Sequence, residues 1–487
     1  MAHHFANDVP SRLLMWQRVR AYAVPPSMID TATARRAVGD WSGACAAARV
    51  DTDLDLRAVR NRHGTEVATR LRADLRRLAP DLLRWHMPRS APDGRLRPGL
   101  TLSLARYGSS AATPVQLVVR TPPTWADAGQ RMSLTLWEGS GTGAPRHHPH
   151  PHPDRRFRLD LHRHLWDAGR SGELARRCGA DATAPDRRSH GTGLPPDLAD
   201  RPAADEASWA VARWAAEAEL LLRAEGRPRG AFTVRLGARS RAVLELVAPD
   251  DSHAPVIRPL REVPPPQRVA ALPVLPEAAA RVLPDLELLR AGLVAADRLH
   301  PLVAAALAEP GPAPAAVPAP APGDPHRVEC RGAVHRIALR DGVLTAIDHD
   351  PSELRREELL VALGGPALPC VRAIDSVHRD PEALPAVRER LLHGDIAGAL
   401  AVVEGLLGPG AVLPDGPLRQ ELQSAAARRV DHGLFRSGLV TVHPAAETAP
   451  DAAHADASHR PRLDRRVPHD LRRKHTSRAR PRTGLMR

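Results

Sequence analysis

Residues 308–325, AEPGPAPAAVPAPAPGDP, constrain the fold more than any other stretch of this 487-residue chain. Proline lacks a backbone N–H and has a fixed φ, so this run can enter neither a helix interior nor a sheet ladder. An Ala/Pro segment is extended, and its side chains are too small to build a core. What folds before residue 308 must therefore close its own core, and so must what folds after 325.

Before that linker the apolar residues change period twice. In GTEVATRLRADLRRLAPDLLRWHM, Val67, Leu71, Leu75, Leu78 and Leu82 recur at three- and four-residue steps and draw one helical stripe. Pro80 opens a second helix there because it cannot sit inside the first. Residues 1–90 are thus expected to be mainly helical. From about residue 98 the period becomes two, in LTLSLARY, VQLVVR and MSLTLW and later in AFTVRL and AVLELV, so 91–263 reads as an α+β domain. It contains a His/Pro-rich loop at 145–153 and an expected helix from about 205 to 224, with Asp205 as N-cap and Trp209 and Trp214 on its apolar face. Residues 264–307 read as helical, with Pro284 and Pro301 limiting the helix lengths.

After the linker, 326–440 is expected to be a small α+β domain. VHRIALR and VLTAI flank Asp341-Gly342, which suits the positive φ of a type I′ hairpin turn. Asp350-Pro351-Ser352-Glu353 has the N-cap, first-turn proline and third-position acid of a helix start. Residues 441–487 are poor in apolar side chains and are expected to be disordered. The expected fold class is α+β: a helical N-terminal segment, a central mixed domain, a small hairpin-plus-helices domain and a disordered basic tail.

Charge sharpens the division. The chain carries 69 Lys+Arg against 56 Asp+Glu, a net +13, and all but Lys474 of those cations are arginine. Residues 458–487 hold ten arginines and Lys474 against Asp464 and Asp470, so that tail accounts for +9 of the +13. The remaining chain is nearly neutral. Because it has no lysine before residue 474, it can house no P-loop, Schiff-base or kinase-type lysine there. The tail could attract nucleic acid through counterion release, although it has no aromatic side chain on which bases would stack.

Candidate chemistry concentrates in RHHPHPHPDRRFRLDLHRH, which places six histidines within 147–164. Were 156–164 a strand, Asp160, His162 and His164 would project from one face. Two imidazoles and a carboxylate can hold zinc or iron with one position left for water. Phe157, Leu159 and Leu161 would then form the buried face. GSGTGA at 139–144 has the spacing of a dinucleotide fingerprint, but Pro145, Pro149, Pro151 and Pro153 forbid the helix such a site requires. DTDLD at 51–55 begins like a calcium loop, yet Leu56 and Arg62 stand where Gly and Glu are needed, so these aspartates read as a turn and a helix start. Asp348-His349-Asp350 reads as polar capping between a strand and a helix. The four cysteines, Cys45, Cys178, Cys330 and Cys370, lie far apart without a C-x-x-C. That spacing argues for a reducing compartment and against both a disulfide framework and a zinc ribbon.

One pattern occurs twice. GDWSGACAAARV (39–50) and GDIAGALAVVEGLL (394–407) share Gly-Asp-apolar-x-Gly-Ala-x-Ala. Around 385–409 this resembles the helix–turn–helix of tetratricopeptide-type units, with small residues where two helices touch and Pro409 at the exit. The Trp-Leu-Gly-Tyr consensus and the 34-residue period of that repeat are absent, so isolated helical hairpins are expected instead of an array. The leading expectation is a cytoplasmic, non-enzymatic scaffold that binds an unidentified protein partner, with no membrane insertion. Trp16, Trp41 and Trp85 are candidate contact residues. A metal-dependent enzyme built on Asp160, His162 and His164 is the alternative, and nucleic-acid binding through 458–487 a third.

Overall fold

The computed structural model describes residues 10–107, 115–139, 152–180, 209–237, 240–247, 255–260, 262, 264–308, 327–340, 343–366, 368–371, 383–407 and 417–439. The fold is mixed α+β. It separates into two compact units, one made of residues 1–309 with 431–487 and the other of residues 310–430. The Ala/Pro run, the Asp341-Gly342 turn, Asp205, most of the His/Pro loop and the basic tail lie outside the described residues.

In the first unit, helices α1 (Ser11–Tyr22), α2 (Pro26–Ala37) and α3 (Trp41–Ala47) precede strand β1 (Val50–Asp53). Helix α4 (Leu56–Arg77) and helix α5 (Pro80–His86) follow. The leucine stripe behaves as its spacing predicts: Leu71, Leu75, Leu78 and Leu82 are all buried, and Pro80 occupies the first turn of α5. Gly64 interrupts α4 with a φ of +85°, a left-handed conformation that side-chain-bearing residues rarely adopt. The DTDLD segment departs from expectation. Asp51 and Asp53 lie in β1, while Asp55 alone is the helix cap, accepting from the N–H groups of Arg57 and Ala58.

The short strands β2 (Arg89–Ser90) and β3 (Arg95–Leu96) form a ribbon, and β4 (Thr101–Arg106), β5 (Gln116–Arg120) and β6 (Met132–Trp137) build the main sheet. Its order is β1-β6-β5-β4, antiparallel except that β1 lies parallel to β6 with Val50 opposite Met132. The region expected to be helical therefore supplies an edge strand, and its helices share one core with the sheet, from Val19 through Leu75 and Leu102 to Val303. Both faces of β4 and β5 are covered, so the alternation seen in the sequence does not mark a wet face. Ser103 is buried and donates to Gln116 Oε1 at 2.8 Å.

A charged pair is buried inside this core. Arg20 makes a bidentate contact with Asp285 at 2.8 and 2.6 Å, and the Trp85 indole N–H donates to the same carboxylate at 2.9 Å. Trp85 is thus a core residue and offers no contact surface, while Trp16 and Trp41 pack partly buried against that core. None of the described helices is long and apolar enough to cross a membrane.

A second sheet of the same unit, β7 (Gly230–Arg235), β8 (Arg241–Val247) and β9 (Val256–Pro259), packs on a helix at Trp214–Ala224. That helix begins later than expected. Trp209 pairs instead with Arg281 in an isolated bridge, and the Arg281 guanidinium lies 4.0 Å from its ring centroid. The helices at Pro284–Arg290 and Pro301–Leu307 start at the prolines that were expected to bound them.

The second unit opens with β10 (Arg327–Cys330), β11 (Ala333–Arg340) and β12 (Val343–Ala346) as an antiparallel meander. The helix at Pro351–Ala362 follows, with the Asp350 carboxylate accepting from Ser352 N at 2.8 Å. Two further helices, Ala383–Leu392 and Ile396–Leu407, form the expected hairpin around Val387, Leu391, Ala399 and Val403.

Both copies of the repeated Gly-Asp pattern turn the same corner. Gly39 and Gly394 have φ of +78° and +80° and end one helix. Asp40 and Asp395 then cap the next by accepting from Gly43 N at 2.8 Å and Gly398 N at 3.2 Å. The arginine five residues before each aspartate, Arg35 or Arg390, reaches back to it at 3.3 or 2.7 Å. A Cβ on Gly43 or Gly398 would meet the other oxygen of the capping carboxylate, the Oδ2 that faces the arginine, at 2.0 or 2.1 Å, so this packing favours glycine there.

Candidate metal centre

The β10–β11 hairpin is closed by Arg331 and Gly332, whose φ of +53° and +79° make the type I′ geometry that matches strand twist. Pairing sets Cys330 opposite Ala333 and Val328 opposite His335. Directly opposed residues share a sheet face, so Cys330 and His335 emerge on the same side. His349 follows β12 by three residues, just before the Asp350 cap. The helix at Pro351–Ala362 and Gly364, at φ +89°, lie between His349 and Cys370.

These four residues meet. One ligand atom from each of Cys330, His335, His349 and Cys370 lies within 4.8 Å of all the others. His335 Nδ1 is 3.3 Å from Cys370 Sγ, and the two imidazoles sit edge to face with centroids 4.5 Å apart. A tetrahedral zinc with the usual bond lengths has ligand–ligand edges of about 3.3–3.8 Å. The cluster therefore closes on such an ion through shifts of about an ångström. Cys330, Cys370 and His349 are buried, and neither nitrogen of His349 has a hydrogen-bond partner. A buried imidazole left without partners is costly in a purely protein environment. Glu353 and Glu357 stand 3.9 and 4.0 Å from its Nδ1 and Nε2, so whichever nitrogen takes the ion, the other faces a carboxylate that could serve as its outer partner. Burial, and next to it the Cys330 thiol, pushes Cys370 up to about 12, so a bound cation would have to displace that proton.

Among the described residues this is the one group of three or more His, Cys, Asp or Glu whose ligand atoms converge in this way. The wide cysteine spacing, read as arguing against a zinc ribbon, does not keep these thiols apart: the meander, the capped helix and the Gly364 turn bring Cys330 and Cys370 together. His349 is not mere capping polarity: Asp350 caps, Asp348 holds Arg336 at 2.6 Å, and His349 enters the cluster. The only sequence signal was Cys330 and His335 five residues apart across a Gly-containing turn.

Asp160, His162 and His164 take other roles. Residues 156–164 form turns and a short 3-10 segment instead of a strand, so no pleat aligns the three side chains. The Asp160 carboxylate is held by Arg158 at 2.8 Å and Arg106 at 3.2 Å. His162 donates from Nδ1 to the Arg158 carbonyl at 2.9 Å and sets Nε2 3.2 Å from Glu217, which Arg177 clamps with two 2.7 Å contacts. His164 is buried, and burial, then His162 and Arg177, keep it neutral well below the usual histidine range. The other two cysteines are no better as nucleophiles, since burial pushes Cys45 up to about 12 and Cys178 to about 11.

Compared with known proteins, the chain matches no family model, no curated protein and no solved structure.

Proposed function

We propose that this is a non-enzymatic interaction protein whose second unit is held together by a structural zinc ion. The convergence of Cys330, His335, His349 and Cys370 carries that reading. Two thiols and two imidazoles favour zinc over magnesium or calcium, which prefer oxygen. Four protein ligands fill a tetrahedron and leave no position for water or substrate, so the ion braces the fold and does not catalyse. Support for partner binding comes from the neighbouring helix at Pro351–Ala362 and the turn after it, where Leu359, Leu360 and Leu363 are exposed while Leu354 faces inward. A cytoplasmic setting suits ligands that must stay reduced.

Metal analysis of untagged protein, purified without a nickel column, tests this. About one zinc per chain is expected, falling towards zero in Cys330→Ser and Cys370→Ala. Metal content far below one per chain in the natural protein, or content unchanged in both variants, would end the proposal.

A further inference from the structure

Two adjoining cavities in the first unit are lined by arginine. The first, of about 210 Å³, lies among Arg106, Arg155, Arg158 and Arg227, with Glu225 as its acid and Leu221, Pro273 and Val274 as apolar wall. The second, of about 260 Å³, is lined by Arg155, Arg156, Arg235 and Arg241 with Asp154. Arg155 and Val274 border both.

Much of this charge is not neutralised locally. Arg158 and Arg106 share Asp160 and Glu225. Arg156 is taken by Asp154. Arg155 donates only to the Ala270 and Leu272 carbonyls, at 2.7 and 3.2 Å, which hold the guanidinium in place without cancelling its charge. Among the described residues, Arg227 and Arg241 have no carboxylate within ion-pair distance. Arg156 is more than nine-tenths buried, and its Nη1 meets no acceptor although its other nitrogens are bonded to Asp154. Burial, followed by the charge of Arg156, Arg241 and Arg97 and opposed by Glu277, lowers Arg235, the mark of crowded cations.

We propose that this twin cavity binds a small anion carrying several linked phosphate groups, with Arg155 between the two subsites. Guanidinium forks match phosphate oxygens bidentately, and neighbouring cavities of this size suit a short phosphate chain, not a single ion. The apolar wall of the first cavity is the place where an attached nucleoside would pack.

The probes are inorganic triphosphate, a nucleoside triphosphate and orthophosphate, titrated calorimetrically into the full chain at physiological salt. One triphosphate per chain is expected to bind, at least about tenfold tighter than orthophosphate, since a single phosphate fills one subsite only. Equal affinity for the two triphosphates assigns recognition to the phosphate chain, whereas a preference for the nucleoside form assigns the apolar wall to its base or sugar. Arg155→Ala and Arg227→Ala, at positions outside the core, should each weaken binding about tenfold. Arg156→Met serves as a buried check, with its folding verified by circular dichroism. Cys370→Ala should leave binding unchanged, which separates this site from the zinc reading. Binding that survives Arg155→Ala with Arg227→Ala, or that disappears on deletion of 458–487, would overturn the assignment, as would the absence of any triphosphate binding.

Discussion

Replacing Cys370 with Ala removes one thiolate from the candidate zinc centre, and the effect can be sized against the apolar packing within residues 327–371. The apolar cluster around this centre consists of Cys330, Ala346, Leu354 and Cys370, with Val328, Leu368 and Val371 packed at its edge. Burying Leu354 and Ala346 contributes about 3 kcal/mol. A structural zinc in a four-ligand site contributes about 10–16 kcal/mol at neutral pH. The metal term is thus several times the apolar one, and folding of this segment should depend on the ion. Hydrogen exchange of the full chain, with and without a chelator, reads this directly. Backbone protection across 327–371 should collapse on chelation, return with added zinc and be absent throughout in Cys370→Ala, while the sheet containing β4 and β5 stays protected. Glu357→Gln, which alters an outer neighbour of His349 and its 3.5 Å ion pair with Arg331 but no ligand, should weaken zinc about 10–100-fold and lie between the two. Equal protection of 327–371 in metal-free and metal-loaded protein would refute the reasoning, because the apolar cluster would then suffice.

Three further outcomes follow from the first unit and the two helical corners. Asp285→Asn leaves the buried Arg20 guanidinium without its counter-charge and should cost about 3–5 kcal/mol in urea unfolding; a loss within the error of the measurement would mean that Arg20 finds another acceptor. Glu217 is pushed up by burial, but hydrogen bonds from His162 and Arg177 outweigh this and hold it at about 2 against an ordinary 4.5. Its contribution, about 3 kcal/mol, is fully present above pH 4.5 and disappears as pH falls through the folded value. Glu217→Gln should therefore flatten the acid limb of the stability profile between those two values, and an unchanged limb would count against it. At the repeated corner, Asp40→Ala and Asp395→Ala should each cost about 1 kcal/mol as lost caps. Gly43→Ala and Gly398→Ala should cost more, because the new methyl displaces the cap; thermal melts that rank them the other way would contradict the shared geometry.

Much of the fold was legible where local chemistry decides it. The leucine stripe of α4 and α5, the prolines that open later helices, the Asp350 cap and the two Gly-Asp corners need only neighbouring residues, and each forms as its sequence implies. The misreadings share another cause. DTDLD carries carboxylates that suit a turn, yet β6 pairs with Val50–Asp53 and draws it into a sheet. Trp209 has a helical neighbourhood, yet the bridge to Arg281 fixes it outside the helix. Asp160, His162 and His164 alternate as a strand would, but the segment meets β4 only at an isolated bridge, Arg158 beside Ser103, and then turns away. Arginines and Glu217 hold their polar groups instead.

The candidate centre shows the same division over a longer reach. By itself the sequence determined where several helices open, at Pro80, Pro284, Pro301 and Asp350, and that lysine chemistry is absent before Lys474. Those properties depend on φ restriction, missing donors and residue type, all of them local. Only the tertiary structure decided that Cys330, His335, His349 and Cys370 share one point in space, and that Arg155 borders two cavities at once. The Cys330 to Cys370 separation is bridged by a meander, a capped helix and a glycine turn, and no residue-by-residue preference encodes where those elements converge. Convergence is set by strand register and packing, which become defined only when the whole unit closes.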